Sequence, residues 1–563
     1  MKNIISVIIT LSLILSISIP VFSQSGISDQ QLKSNLRQHI LTLASDKFEG
    51  RETGKKGEQL AADYIISQFR EIGLEEKGSL NYLQPFPFDA GRKMGKNNSL
   101  IINGNSFSAG EDFQTLPFSF SGKVSGEAVK VGYGISAPGL GYDDYKNTND
   151  LTGKIFIIET SNPDGNNPHG KYSDYGDLQP RADSAVARGA AAVIFVNTKK
   201  EIEDPVLDYA VKNNKAGSVP VVFAKKAVHQ TLLQDGILKA VLQTDVEKIE
   251  LTANNVIGFL DNKALQTVVI GAHYDHLGYG DHGSLFRGKP AIHNGADDNA
   301  SGNAALIELA RYLKTSGSKS NNYLFIAFSG EEKGLLGSNF FVKNPTIDMK
   351  TINYMLNMDM VGRLKKDEKT LIISGVGTSP VWKDIINSIH VDSVKYKLSE
   401  SGVGPSDHTS FYLRNIPALH FFTGSHEDYH KPTDDEEKIN YEGTTSIIRI
   451  MIALIEQADK KGKLAFTKTN DSNNEETPRF KVTLGVVPDY AYDGEGMRID
   501  GISDGKPASK AGMLSGDVVL QLGEHKVTDM TSYMKALGKF SKGDTTEVKF
   551  KRANEMKEVK ITF

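Results

Sequence analysis

No cysteine occurs anywhere in the 563 residues. A disulfide framework is therefore excluded, as are a thiolate nucleophile, a thiolate metal site and a lipid carried on cysteine. Any bound metal has to be held by histidine, aspartate and glutamate. Charge of one sign is scarce too: 65 Lys and Arg against 69 Asp and Glu leave a formal charge of −4. No dense Lys/Arg patch interleaved with aromatics is present, so nothing suggests a nucleic-acid binder. Beyond Gln24 no run approaches the roughly 20 apolar residues that a membrane span requires.

The first residues read as an export signal. Lys2 supplies a positive start, Ile4 to Ile19 form an apolar stretch broken only by small hydroxyl residues, and Pro20-Val21-Phe22-Ser23 lead into polar Gln24. This is the three-part pattern of a secretory leader, with cleavage expected near Ser23 in preference to retention as an anchor. The expected location is exported, either periplasmic or secreted, with no stable membrane span after cleavage.

The remaining length suggests three or four domains at about 100–200 residues each. The fold class expected is α/β. Residues 24–120 and 251–460 are read as one domain whose apolar strands alternate with amphipathic helices, giving a mostly parallel sheet covered by helices. Residues 121–250 change texture, with frequent glycines and short buried-strand runs such as Lys154 to Ile158 and Ala190 to Val196, and are read as an inserted α/β module. Residues 461–478 are polar and read as a linker. Residues 479–563 are again ordered and β-rich.

Four strand-like runs each lead to a residue able to bind metal. Thr267 to Ala272 runs into His273-Tyr274-Asp275, Tyr323 to Phe328 into Ser329-Gly330-Glu331-Glu332, and Tyr354 to Met358 into Asp359. Ile416 to Phe422 is followed by a loop to Tyr429-His430. Ligands in open α/β sheets bind outside the carboxyl ends of strands, which is where this pattern puts chemistry repeatedly. Asp297 and Asp298 precede a helix with an apolar face. Capping needs only one aspartate, so Asp298 is read as structural and Asp297 as reaching inward. Two histidines and three carboxylates suit a pair of divalent ions about 3.5–4 Å apart that activate a shared water, and a glutamate beside a ligating glutamate suits a general base.

Those motifs resemble the dizinc aminopeptidase family that also contains glutamate carboxypeptidase and the transferrin receptor. The matching segments are His273 to Gly278, Asn294 to Gly302, Ser329 to Glu332, Asn357 to Met360, Ser406 to Phe411 and Tyr429-His430, with the Glu49-Gly50-Arg51 loop upstream. The resemblance implies a zinc exopeptidase fold and two Zn ions, Asp297 bridging, His273 and Asp359 completing one site, and Glu332 and His430 the other. It further implies that Glu331 shuttles the proton, Asp275 orients His273, and Tyr429 hydrogen-bonds the developing oxyanion. With that set full, His276, His282, His293 and His408 are left as structural or surface residues, and Asp407 is given no direct role. The insert resembles a protease-associated (PA) domain. The C-terminal region resembles a PDZ domain, through Leu484-Gly485-Val486-Val487 and Lys506 to Met513, and would bind a peptide or protein ligand by strand addition. The activity implied is removal of N-terminal amino acids from peptide substrates. A glutaminyl cyclase-like transferase, a carboxypeptidase of the same fold and a receptor-like binding protein are the alternatives.

Overall fold

The structure is a computed structural model. It describes residues 27–563 apart from 147–150, 166–169, 173–174, 208–216, 317–318, 470–481, 489–493, 503–505 and single positions 200, 203, 206, 233, 235, 287, 529, 542 and 554. The expected leader and half of the expected linker lie outside the described residues.

The largest sheet has nine strands: β1 (Glu75–Glu76), β2 (Leu83–Met94), β3 (Val246–Leu260), β4 (Thr267–His273), β5 (Asn322–Phe328), β6 (Ile352–Met358), β7 (Thr370–Ser374), β8 (Lys395–Ser399) and β9 (Ala418–Phe422). Their order is β1-β3-β5-β4-β6-β9-β7-β8, with β2 paired to β3. The four central strands β5, β4, β6 and β9 are parallel, and both flanks turn antiparallel at β3 and β7. Every residue of β4, β5 and β6 is buried. That explains their unbroken apolar runs, since a parallel sheet is covered on both faces.

Helices α1 (Asp29–Leu43), α2 (Lys56–Ile72), α3 (Gly302–Thr315) and α4 (Tyr441–Ala458) share one large apolar core with the sheet. The Ser28 side chain caps α1 by accepting from Gln31 N at 3.2 Å, and Gly73, at φ 79°, closes α2 in the left-handed conformation. Leu36 and Ile40 of α1 are fully buried, so the segment ahead of the insert belongs to this domain's core.

The insert has its own eight-stranded sheet and core. Its sheet includes Ser99–Ile102, Asn105–Phe107 and Phe113–Thr115, so the module begins before the expected residue 121. These strands are only three or four residues long, too short for period-two alternation to stand out. The C-terminal region forms a separate six-stranded sheet around a third core. Among the described residues, no helix is long and apolar enough to cross a membrane.

Candidate metal centre

Four loops leave the carboxyl ends of the central parallel strands and converge. His273 closes β4, Glu331 and Glu332 follow β5, Asp359 follows β6, and His430 lies in the loop after β9. The fifth contributor comes from the irregular turn Ala296–Ser301, just ahead of α3.

That contributor is Asp298, 3% exposed. Its Oδ1 lies 3.3 Å from His273 Nε2 and its Oδ2 lies 3.3 Å from His430 Nε2. His273 Nε2 is also 3.3 Å from Asp359 Oδ1, and His430 Nε2 is 3.3 Å from Glu332 Oε2. Charge-assisted N–H···O bonds close to about 2.7–2.9 Å. Two donors on one tetrahedral zinc, with bonds of about 2.0–2.2 Å, stand roughly 3.3–3.5 Å apart. The four separations match the edge of a coordination polyhedron. The nitrogen and oxygen donors therefore fit zinc-type ions, with Asp298 shared between two groups.

The imidazoles are aimed from behind. His273 Nδ1 lies 3.1 Å from the Asp275 carbonyl and His430 Nδ1 lies 2.9 Å from the Gly283 carbonyl. A carbonyl only accepts, so each Nδ1 carries a proton and each Nε2 faces inward, where a metal would take its lone pair in place of a second proton. His430 takes φ 53° to do this, and Leu285 N donates to its carbonyl at 3.0 Å. A non-glycine residue held in that region at a functional site is strain maintained by its surroundings.

Electrostatics follow the same pairing. Burial works against the charged imidazoles, but the facing carboxylates hold His273 and His430 well above the usual histidine range. Burial would raise Asp298 and Glu332; the imidazoles win, holding Asp298 well below the carboxylate range and Glu332 at about 2. Glu331 behaves oppositely. Burial pushes it well above that range against the pull of His273, and Asp359, Glu332 and Asp407 add to the rise. Asp407, buried nearby, is pushed to about 7 by burial.

Three expectations are revised by this geometry. Asp297, expected to bridge, faces away from the cluster. Its Oδ1 accepts from Gly362 N at 2.6 Å and Ser301 Oγ at 3.0 Å, and its Oδ2 lies 3.2 Å from His426 Nε2. The capping argument presumed a regular helix start, whereas the backbone at Asp298 and Asn299 is non-helical and α3 begins only at Gly302. Gly295, at φ 54°, admits that turn, since a Cβ there would lie 2.1 Å from the Asp298 carbonyl. Next, His276, left as structural, is in the cluster. Its Nδ1 is 2.8 Å from Glu332 Oε1 and 3.8 Å from Asp298 Oδ2. The shorter separation is a hydrogen-bond length, so His276 steadies Glu332 through the oxygen that His430 does not face. Its signal was its place three residues beyond His273 on a strand-end loop. Finally, the Asp275 carboxylate stands 3.8 Å from His273 Nδ1, and its hydrogen bonds come from Glu331 N at 3.1 Å and Thr53 Oγ1 at 2.8 Å. Its carbonyl orients His273; its carboxylate holds the Glu331 backbone.

Tyr429 lies against His430, with ring centroids 3.9 Å apart, and packs on Met360, Ile372 and Phe422. His408 and His420 stack at 4.7 Å, and burial keeps both imidazoles neutral. His293 Nε2 lies 2.7 Å from Ser284 Oγ and its Nδ1 2.9 Å from the Ala291 carbonyl.

Comparison with known proteins agrees with this layout. Residues 255–455 match peptidase family M28, residues 124–232 match the PA domain and residues 468–563 match the PDZ domain. The chain is 28% identical over 460 residues to aminopeptidase YwaD of Bacillus subtilis, covering 77% of this chain and 88% of that protein. It is 24% identical over 393 residues to the probable lipoprotein aminopeptidase LpqL of Mycobacterium tuberculosis, covering 67% and 70%. Among solved structures, BSAP, a zinc aminopeptidase from Bacillus subtilis, is 26% identical over 77% of this chain and 98% of its own, with a TM-score of 0.45.

Proposed function

We propose, for a chain whose residues 255–455 belong to peptidase family M28, that it is a metal-dependent exopeptidase removing N-terminal amino acids from peptides. The reading includes two zinc ions: Asp298 shared, His273 and Asp359 on one, Glu332 and His430 on the other. The observation that carries it is the set of four 3.3 Å separations from the two imidazoles, two to Asp298 and one each to Asp359 and Glu332. Zinc bound there supplies Lewis acidity toward the scissile carbonyl and acidifies a water.

The protein's own groups do the rest. Glu331 takes the proton of the attacking water and hands it to the leaving amine. The Asp275 carboxylate fixes its backbone. His276 holds the second oxygen of Glu332, so that Oε2 faces His430. Tyr429, stacked on His430, is the group this reading assigns to donate to the carbonyl oxygen as negative charge develops. The concentration of carboxylates draws a protonated N-terminus to the centre. Export through residues 1–23 and capture of a peptide by the PDZ region belong to the same proposal.

Free and N-acetylated peptides assayed with and without chelator test it. Release of the first residue from free peptides only, abolished by chelator and restored by zinc, is the expected result. Cleavage of the acetylated peptides refutes the aminopeptidase reading. Glu331→Gln should keep its metal and lose turnover by about 10²–10⁴-fold; wild-type turnover in a zinc-loaded Glu331→Gln protein refutes the role given to Glu331.

A further inference from the structure

The guanidinium of Arg51 sits directly beneath this centre, 1% exposed, in a part of the chain two hundred residues ahead of the matched peptidase segment. Its Nε donates to the Tyr274 carbonyl at 2.8 Å. Nη1 donates to the carbonyls of Leu43 and Asn294, both at 2.6 Å. Nη2 donates to the Gly295 carbonyl at 2.9 Å and reaches that of Asp298 at 3.5 Å. All five N–H groups of the fork thus meet carbonyl oxygens from three separate stretches of chain. Two of those stretches carry the site: Tyr274 lies between His273 and Asp275, and Gly295 and Asp298 bound the turn that presents the shared carboxylate.

The backbone around Arg51 reinforces the link. His276 N donates to the Arg51 carbonyl at 3.1 Å and Gly278 N to that of Gly50 at 2.9 Å. Glu49, Gly50 and Arg51 all adopt positive φ, at 49°, 63° and 51°, a run that persists only where surroundings enforce it. A buried charge ordinarily pairs with an opposite one. Among the described residues, Arg51 forms no ion pair closer than 4.0 Å, although Asp298, Asp275, Glu332 and Asp434 all bear on it electrostatically.

We infer that Arg51 is a positioning residue of the metal centre: one planar fork that sets the spacing between the His273 loop and the Asp298 turn, and so sets how well both groups of donors hold zinc. The inference rests on the metal-centre reading above. Lysine cannot replace it, because a single ammonium cannot span carbonyls on three chain segments.

The test uses the full chain, with zinc affinity measured by competition against a chromogenic chelator and bound zinc counted directly. Arg51→Lys and Arg51→Gln are compared with Leu242→Ala, which opens the separate core of the insert. Both Arg51 variants should bind zinc about 10–100-fold more weakly, as loss of a residue supporting metal ligands does. Leu242→Ala should keep wild-type affinity despite a lowered melting temperature. An Arg51→Lys protein with wild-type zinc affinity overturns the inference. Wild type that takes up no zinc overturns the metal-centre reading instead. Should the Arg51 variants not fold, amide hydrogen exchange of the wild type decides: residues 43–55, 273–278 and 294–299 should lose protection together on zinc removal. Deprotection of 294–299 with 43–55 unchanged overturns the inference.

Discussion

Two sheets in this molecule are built alike and used differently. The peptidase sheet and the insert's sheet each have a parallel centre that is buried almost throughout, in the insert Ile155–Glu159, Ala192–Val196 and Val221–Ala224. Each also has a buried arginine bonded to carbonyls at the carboxyl edge. Arg181 donates to the carbonyls of Glu159, Thr160 and Ser161 at 2.7–3.0 Å, much as Arg51 does beneath the metal centre. The difference lies in what the strand-end side chains do. In the insert, Glu159 turns back to accept from Thr198 N at 2.9 Å, and Asn197 closes its loop onto Ile202 and Asp204. Its polar groups are consumed by the loops that bear them. At the peptidase edge the loops are held by backbone carbonyls and by accessory residues such as Asp434, which accepts from the N–H groups of both Asp297 and Asp298 at 3.0 Å. The imidazoles and carboxylates are left free to face one another. Among the described residues, the groups able to hold a metal are all at the peptidase edge. A parallel edge thus offers a place for chemistry, and the side chains not needed for loop closure decide whether any occurs.

The sharpest way to break this contrast is to exchange the fates of two adjacent aspartates. Asp298→Ala should lose bound zinc and fall to background turnover. Asp297→Ala should keep zinc and retain measurable turnover while lowering the melting temperature, because it ties the turn to Gly362 and Ser301. Metal content and peptide hydrolysis measured side by side check this, and equal metal loss in both variants removes the distinction. A smaller effect is expected from Arg181→Ala in the insert. Stranding three buried carbonyls costs about 1–3 kcal/mol each, so the insert should open at lower denaturant while turnover per bound zinc stays unchanged. A change in zinc affinity there would erase the difference between the two arginines.

The mildest effect concerns pH. Burial pushes the Glu58 carboxyl to about 7, against hydrogen bonds from Ser329, Gly54 N and Tyr274 under the peptidase edge. Its folded-state value lies above its unfolded one, so the folded protein holds the extra proton between them. Stability should therefore fall as pH rises from about 4.5 to 7, by up to ~3 kcal/mol from this group. Glu58→Gln should flatten that slope in denaturant titrations, and an unchanged slope discards the assignment.

The strands and four of the five candidate ligands were legible because each apolar run stops at a polar residue where the sheet's carboxyl edge must lie. The choice between Asp297 and Asp298 was not. They differ by one position in a turn with neither helical nor strand periodicity, and their fates depend on Gly362 and His430, both distant in sequence. His276 was passed over because a ligand count appeared complete, yet steadying a ligand requires residues beyond that count. Arg51 stood in a glycine-punctuated loop whose composition says nothing of what lies above it. The insert's first strands were too short to declare themselves.

The chain leaves for the insert along β2 and comes back along β3, and these two pair from Leu83 with Val256 out to Met94 with Val246. Departure and return are side by side, so to the peptidase sheet the whole inserted module is equivalent to the tip of one long hairpin. Such a module can be enlarged, trimmed or replaced in a single genetic event without shifting the register of the strands that present His273, Glu332 and Asp359.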